Sequence, residues 1–158
     1  MLRLPHRLAA LLAGMWAGIL VCIGALAAPA AFALLARPDA GRFVGRLFEQ
    51  EAYLSLALAV VLLIVERGRR SGQPGEPGQP SLFSANLMLL LGTLFCTVAG
   101  HFALLPMMDA ARAGQGSLSF GALHGISAGF FVLKGLLVLA LAWRLAAAAQ
   151  SVSPRSST

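Results

Sequence analysis

The sequence predicts an all-α protein, a four-helix transmembrane bundle made of two helical hairpins with both termini in the cytoplasm. Three observations carry that prediction. Hydrophobic residues make up 58% of the 158-residue chain and charged residues only 11%, against soluble averages of about 45–50% and about 25%. Four apolar runs each reach or approach the roughly 20 residues with which a helix crosses about 30 Å of hydrocarbon. These runs are rich in Leu, Ala and Gly and lack period-2 alternation, so they suit helices, which satisfy their own backbone polar groups, rather than barrel strands.

The first span is expected at about 8–35. Arg3 and Arg7 precede it, and Ala25-Leu26-Ala27 resembles the small-residue cleavage site of a signal peptide. A signal core is about 7–15 residues long, whereas this run continues through Pro29 to Leu35 and carries Gly14 and Gly18 at a spacing used for close helix packing. It is therefore read as a span. The second run covers 48–65, the third 82–105 and the fourth 120–149. Between the second and third, residues 68–80 read as a flexible Gly- and Pro-rich cytoplasmic linker that separates the hairpins. Residues 1–150 form a single four-span domain, and 151–158 read as a disordered tail.

Arg3, Arg7, Arg67, Arg69, Arg70, Arg144 and Arg155 fall on one side of this arrangement, and Arg37, Arg42, Arg46 and Arg112 on the other. The positive-inside rule then places the termini and the linker in the cytoplasm. The formal net charge of +6 sits at the ends of apolar runs, which fits anionic lipid headgroups as partner and not nucleic acid. Trp16 and Trp143 are expected as interfacial anchors. Cys22 and Cys96 lie within apolar runs without a paired-Cys motif, and read as small apolar packers rather than a disulfide or zinc site.

Phe32-Ala33-Leu34-Leu35 followed by Asp39 and Arg42 recurs seventy residues later as Phe102-Ala103-Leu104-Leu105 followed by Asp109 and Arg112. Two readings stand side by side: a duplicated hairpin, or a chance match of Leu- and Ala-rich helix ends.

Ionisable residues within spans are the main functional signal, since they are costly in lipid. Glu49, Glu51 and Tyr53 are expected in the first turns of the second span, His101 about one turn before Pro106 at the outer end of the third, and His124 about one turn into the fourth. A carboxylate, a tyrosine and an imidazole at one depth can relay a proton or hold a cation. For Glu49 the plainer expectation is an i,i+3 pair with Arg46; Glu51 and His124 are expected to be buried. On the fourth span Gly121, Gly125 and Gly129 form a packing stripe, while His124, Ser127, Phe131 and Lys134 share another face. Lys134 lies roughly 15 Å below His124, too deep to snorkel to the level of Arg144, and no acidic partner for it is evident.

His101 and His124 are also a candidate axial pair for haem, and His101 with Met107 and Met108 offers soft donors for copper; no cofactor is otherwise indicated. Phosphate-cradling loops, GxSxG elbows, HExxH helices and paired-Cys motifs are missing from the sequence, so the chain is not expected to be an enzyme. Expected partners are the lipid bilayer and, through the glycine stripes, a second copy or another membrane protein.

Met15 to Gly18, Cys22 to Pro29, Phe48 with Glu51 to Tyr53, Phe102 to Met108 and Leu123 to Ser127 together resemble a bacterial domain-of-unknown-function family, number 4149, related to transmembrane protein 205. The likeness covers about 8–148. It implies a four-span protein of the bacterial inner membrane without an established activity, placed distantly near copper-resistance D-type and haem-associated membrane proteins. Relatives of transmembrane protein 205 tend to carry an Asn seven residues after the His of the last span, where this chain has Phe131. Transport and stress tolerance are the leading functional expectations; a haem or copper protein and a non-catalytic assembly subunit are the alternatives.

Overall fold

A computed structural model describes residues 3–71 and 84–151. The first span is α1 (Arg3–Val21), a π-helical segment π1 (Cys22–Ala27) and α2 (Ala28–Leu34). A single helix, α3 (Arg37–Ser71), forms the second. The third is α4 (Ala85–Thr97), π2 (Val98–Ala103) and α5 (Leu104–Arg112), and the fourth is α6 (Phe120–Ser151). The described residues contain no strand. All four spans are long and apolar enough to cross a membrane: 7–34, 37–68, 85–112 and 120–150. Large apolar side chains such as Leu11, Phe95, Val132 and Trp143 face outward, as expected when the surrounding solvent is lipid.

Helix ends follow local chemistry. Pro38 occupies the first turn of α3, where no intrahelical N–H is needed, and Asp39 places a carboxylate near the positive end of its dipole. Ser84 caps α4 by accepting the Leu87 N–H at 3.2 Å, and Ser119 caps α6 by accepting that of Ala122 at 3.2 Å. Between α5 and α6 the chain turns through Gly114 and Gly116, whose positive φ values of 72° and 119° favour glycine.

Several boundaries differ from the sequence reading. The second span begins at Arg37, eleven residues before the apolar run at Phe48, because Arg42–Asp39 and Arg46–Glu49 pair at i,i+3 and offset the polar opening of the helix. The third continues past Pro106 to Arg112. Pro106 falls in the first turn of α5, directly after π2, where the helical ladder is already offset. Residues 68–71, expected in the linker, extend α3; the rest of the linker and the tail beyond Ser151 lie outside the described residues.

π1 and π2 are structural counterparts. Each precedes a proline, Pro29 or Pro106, and Gly24 and Gly100 stand at the third position of each, 76 residues apart. The seventy-residue sequence match does not follow this register. Phe32 lies in α2 but Phe102 in π2, and Asp39–Arg42 opens α3 whereas Asp109–Arg112 closes α5.

Around the bundle, α1 neighbours α3 and α6, and α4 neighbours the same two, so α3 and α6 face each other across a diagonal. The main core gathers Ala9, Ala13, Trp16, Leu20, Leu62, Leu90, Val138 and Leu141 from all four spans toward the end that bears the termini. Toward the other end, which bears the interhelical turns, the buried clusters divide: Ala31, Ala40 and Val44 belong to the first hairpin, and Leu104, Met108 and Leu123 to the second.

Candidate functional site

Glu51 and Lys134 meet where the common core gives way to the two hairpin clusters. Each lies 14 residues into its helix, about 21 Å from the turn end by helical rise. The two helices run in the same direction, so the side chains reach one height. Lys134 Nζ donates to Glu51 Oε1 at 2.9 Å and to Oε2 at 2.7 Å. Ser55, one turn along α3, also donates to Oε1, and its own Oγ accepts the Trp16 Nε1–H of α1 at 2.9 Å. Trp16 and Ser55 are 1% exposed, Glu51 3% and Lys134 4%. Four side chains on three helices thus form one buried hydrogen-bonded chain that compensates both charges.

Aromatic rings close the pair on the turn side. Phe131 stands edge-on to Phe48 at 4.9 Å between centroids, and Lys134 Nζ lies 5.3 Å from the Phe131 centroid. Gly24 in π1 makes room for this ring: a Cβ there would lie 2.8 Å from Phe131 Cε1. Gly100 in π2 does the same for the neighbouring residue, with a Cβ position 2.7 Å from that of Phe130. Ser127 donates to the Gly100 carbonyl at 2.7 Å, tying α6 to π2.

The expected polar cluster is therefore divided. Glu51 and Lys134 come together at mid-height, the level expected for Lys134; Glu51 sits deeper than the first turns expected for it, because α3 starts eleven residues earlier than its apolar run. Tyr53 is exposed and edge-on to Phe102 at 5.5 Å. His101, half-buried, is edge-on to the same ring at 5.0 Å. His124 is exposed near the turn end, stacked on Phe120 at 5.8 Å, and Arg112 covers that ring at 4.5 Å while pairing with Asp109. The expected burial of His124 is not what the structure places there. Ser127 bonds backbone, and Glu49 pairs with Arg46 at 2.6 Å as the i,i+3 spacing suggested.

Trp16, expected at the interface, is instead a core residue, while Trp143 is exposed. The glycine expectations shift likewise. Gly14, Gly18, Gly121, Gly125 and Gly129 are exposed, and a Cβ at any of them meets nothing within 4 Å. They do not pack helices within this chain; Gly24, Gly92 and Gly100 are the glycines closely covered by side chains.

The histidines do not suit a shared haem. With Arg112 over the Phe120 ring as a common level, His101 lies eleven residues below Arg112 and His124 four below Phe120, so their heights differ by about 10 Å. Axial ligands must face each other across one iron. Of the soft donors near His101, Met107 points outward and Met108 packs into the α5–α6 cluster. No group of three or more His, Cys, Asp or Glu converges among the described residues.

Ser55 and Trp16 are the site residues that sequence reasoning missed. Ser55 was within reach, since it shares a helix face with Glu51 at i+4; Trp16 gave no such signal. A family model described as a domain of unknown function (DUF4149) matches residues 11–117, a range that holds Trp16, Glu51 and Ser55 and stops before Lys134. No curated protein and no solved structure matches the chain.

Proposed function

The chain belongs to the DUF4149 family, and from that premise we propose that it is a proton-responsive protein of the bacterial inner membrane, with both termini cytoplasmic, acting in transport or stress tolerance. Its working part is the Glu51–Lys134 pair, which latches the two hairpins together and releases them when a proton moves from Nζ to Oε2. The observation that carries this reading is the position of the pair: buried, at mid-height, and joining the hairpins where their apolar cores separate.

A proton is favoured over a metal cation as the exchanged species. Lys134 already donates to both oxygens of Glu51, the seats a cation would need. Proton transfer within the pair converts two charges into a neutral acid and a neutral amine, removes their Coulomb attraction and lowers the penalty of parting them in lipid. The hairpins are then held at this level chiefly by ring contacts such as Phe48–Phe131 and Tyr53–Phe102. Orientation in the membrane follows the arginine bias toward the end that bears the termini.

Purified protein in liposomes loaded with a pH-sensitive dye tests the reading. Under an imposed membrane potential the wild type should pass protons faster than protein-free liposomes, and Glu51→Gln and Lys134→Met should abolish the difference. Wild-type flux no greater than that of empty liposomes, or unaffected by both substitutions, contradicts it.

One observation favours a second reading, a non-catalytic assembly subunit in which the pair is a static lock. Every fully buried side-chain N or O atom among the described residues has a hydrogen-bond partner, so the network is complete without any exchange. A Glu51→Gln/Lys134→Met chain that fully complements a deletion strain would support that reading over the first.

A further inference from the structure

The direction of the hydrogen-bond chain is set at its far end. Indole Nε1–H is a donor only, whereas a serine hydroxyl has one hydrogen and two acceptor lone pairs. Trp16 donates to Ser55 Oγ, and Ser55 spends its single hydrogen on Glu51 Oε1. Reversing the Ser55–Glu51 bond would require the Ser55 hydrogen to move to another acceptor; Trp16 cannot supply one, which leaves the backbone carbonyl of Glu51 one helical turn away.

We propose that Trp16 is a positioning residue that acts through Ser55, holding Glu51 Oε1 as an acceptor and confining proton exchange to Oε2, the oxygen 2.7 Å from Lys134 Nζ. The bond that breaks is Nζ–H and the one that forms is Oε2–H, so the pair exchanges its proton internally without moving the Ser55 hydrogen. The Trp16 donor also polarises the Ser55 O–H and strengthens it toward a carboxylate. This inference rests on the reading of Glu51–Lys134 as the proton-exchanging pair. Other titratable groups near the pair are Glu49, held by Arg46, and Tyr53 on α3, with Cys96 and His101 on the third span within electrostatic reach of Lys134. On α6, Lys134 is the charged group at the pair, while Arg144 bonds Asn86 toward the terminal end and His124 stacks on Phe120 at the turn end. Cys22 of π1 faces outward and α1 presents Trp16, which does not titrate.

The intensity of the neutral Glu51 carboxyl band in the infrared, identified by its loss in Glu51→Gln and read at one fixed pH in lipid nanodiscs, tests this, because transfer inside the pair takes up no proton from solution. Ser55→Ala should raise the ratio of neutral to ionised pair about 10- to 100-fold, the worth of one hydrogen bond to a charged group. Trp16→Phe should raise it about threefold. The double variant should rise no further than Ser55→Ala alone, because Trp16 works through Ser55. A Trp16→Phe band like that of the wild type, or a double variant showing the product of both increases, overturns the inference.

Should Trp16→Phe fail to fold, Trp143→Phe leaves Trp16 as the sole indole. Its resonance Raman hydrogen-bond marker should then report one donating state even though part of the pairs carries a neutral carboxyl. A marker divided between bonded and free states in the proportion of the carboxyl band contradicts the inference. A wild type without any carboxyl band at any pH sinks the proton-exchange reading; if Trp16→Phe then reveals one, the positioning role stands alone, and if it does not, both fall.

Discussion

Lys134→Met should destabilise the bundle by about 3–5 kcal/mol, the range for breaking a buried ion pair from one side. At the 2.7 Å separation of Nζ and Oε2 and an effective dielectric near 20, the attraction is about 6 kcal/mol, and desolvation of several kcal/mol per ion offsets most of it. The intact pair thus contributes little net stability. Its loss from one side leaves a buried charge. Glu51→Gln should have a comparable effect, whereas Glu51→Gln/Lys134→Met, which leaves no charge behind, should cost less than either single change. Reversible unfolding by SDS in mixed micelles, followed by circular dichroism, measures all four chains. Single effects that simply add in the double variant would refute the reasoning.

Four further outcomes follow from the same geometry. Gly100→Ala should cost about 1–3 kcal/mol by overpacking against the Phe130 Cβ, an atom too close to the backbone to swing away. Gly14→Ala, Gly18→Ala and Gly125→Ala, where a Cβ meets open space, should be neutral or stabilising by up to about 1 kcal/mol in the same unfolding assay. Ser55→Ala should cost about 1–3 kcal/mol, since it leaves the buried Trp16 N–H without its acceptor. His124→Ala should leave proton flux in liposomes unchanged, because His124 stacks on Phe120 at the turn end and makes no contact with the pair.

Helix number and type were legible because runs of apolar residues report directly on burial in lipid. Where the helices began was less so. A hydropathy pattern discounts the opening of α3, yet Asp39–Arg42 and Arg46–Glu49 are neighbours on the helix and offset one another. That one boundary placed Glu51 several turns too shallow and hid its partnership with Lys134. Depth identified both residues as costly; pairing them required knowing that α3 and α6 face each other across the bundle. The exposed glycine stripes show the opposite limit, since spacing marks residues that permit close packing without marking what packs. Trp16 shows it again: an aromatic residue near a span's end resembles an anchor until a buried serine is found to accept its N–H.

The central claim is that the Glu51–Lys134 pair latches the hairpins at mid-height and so sets the separation of their turn ends. Nitroxide labels at Gly45→Cys and Gly121→Cys, positions where a side chain meets open space, placed in a chain with Cys22→Ala and Cys96→Ala, report that separation by pulsed electron paramagnetic resonance. One short distance should dominate with the pair intact, and Glu51→Gln should lengthen it by several ångströms at the same pH. A distance distribution unchanged by Glu51→Gln would contradict the account.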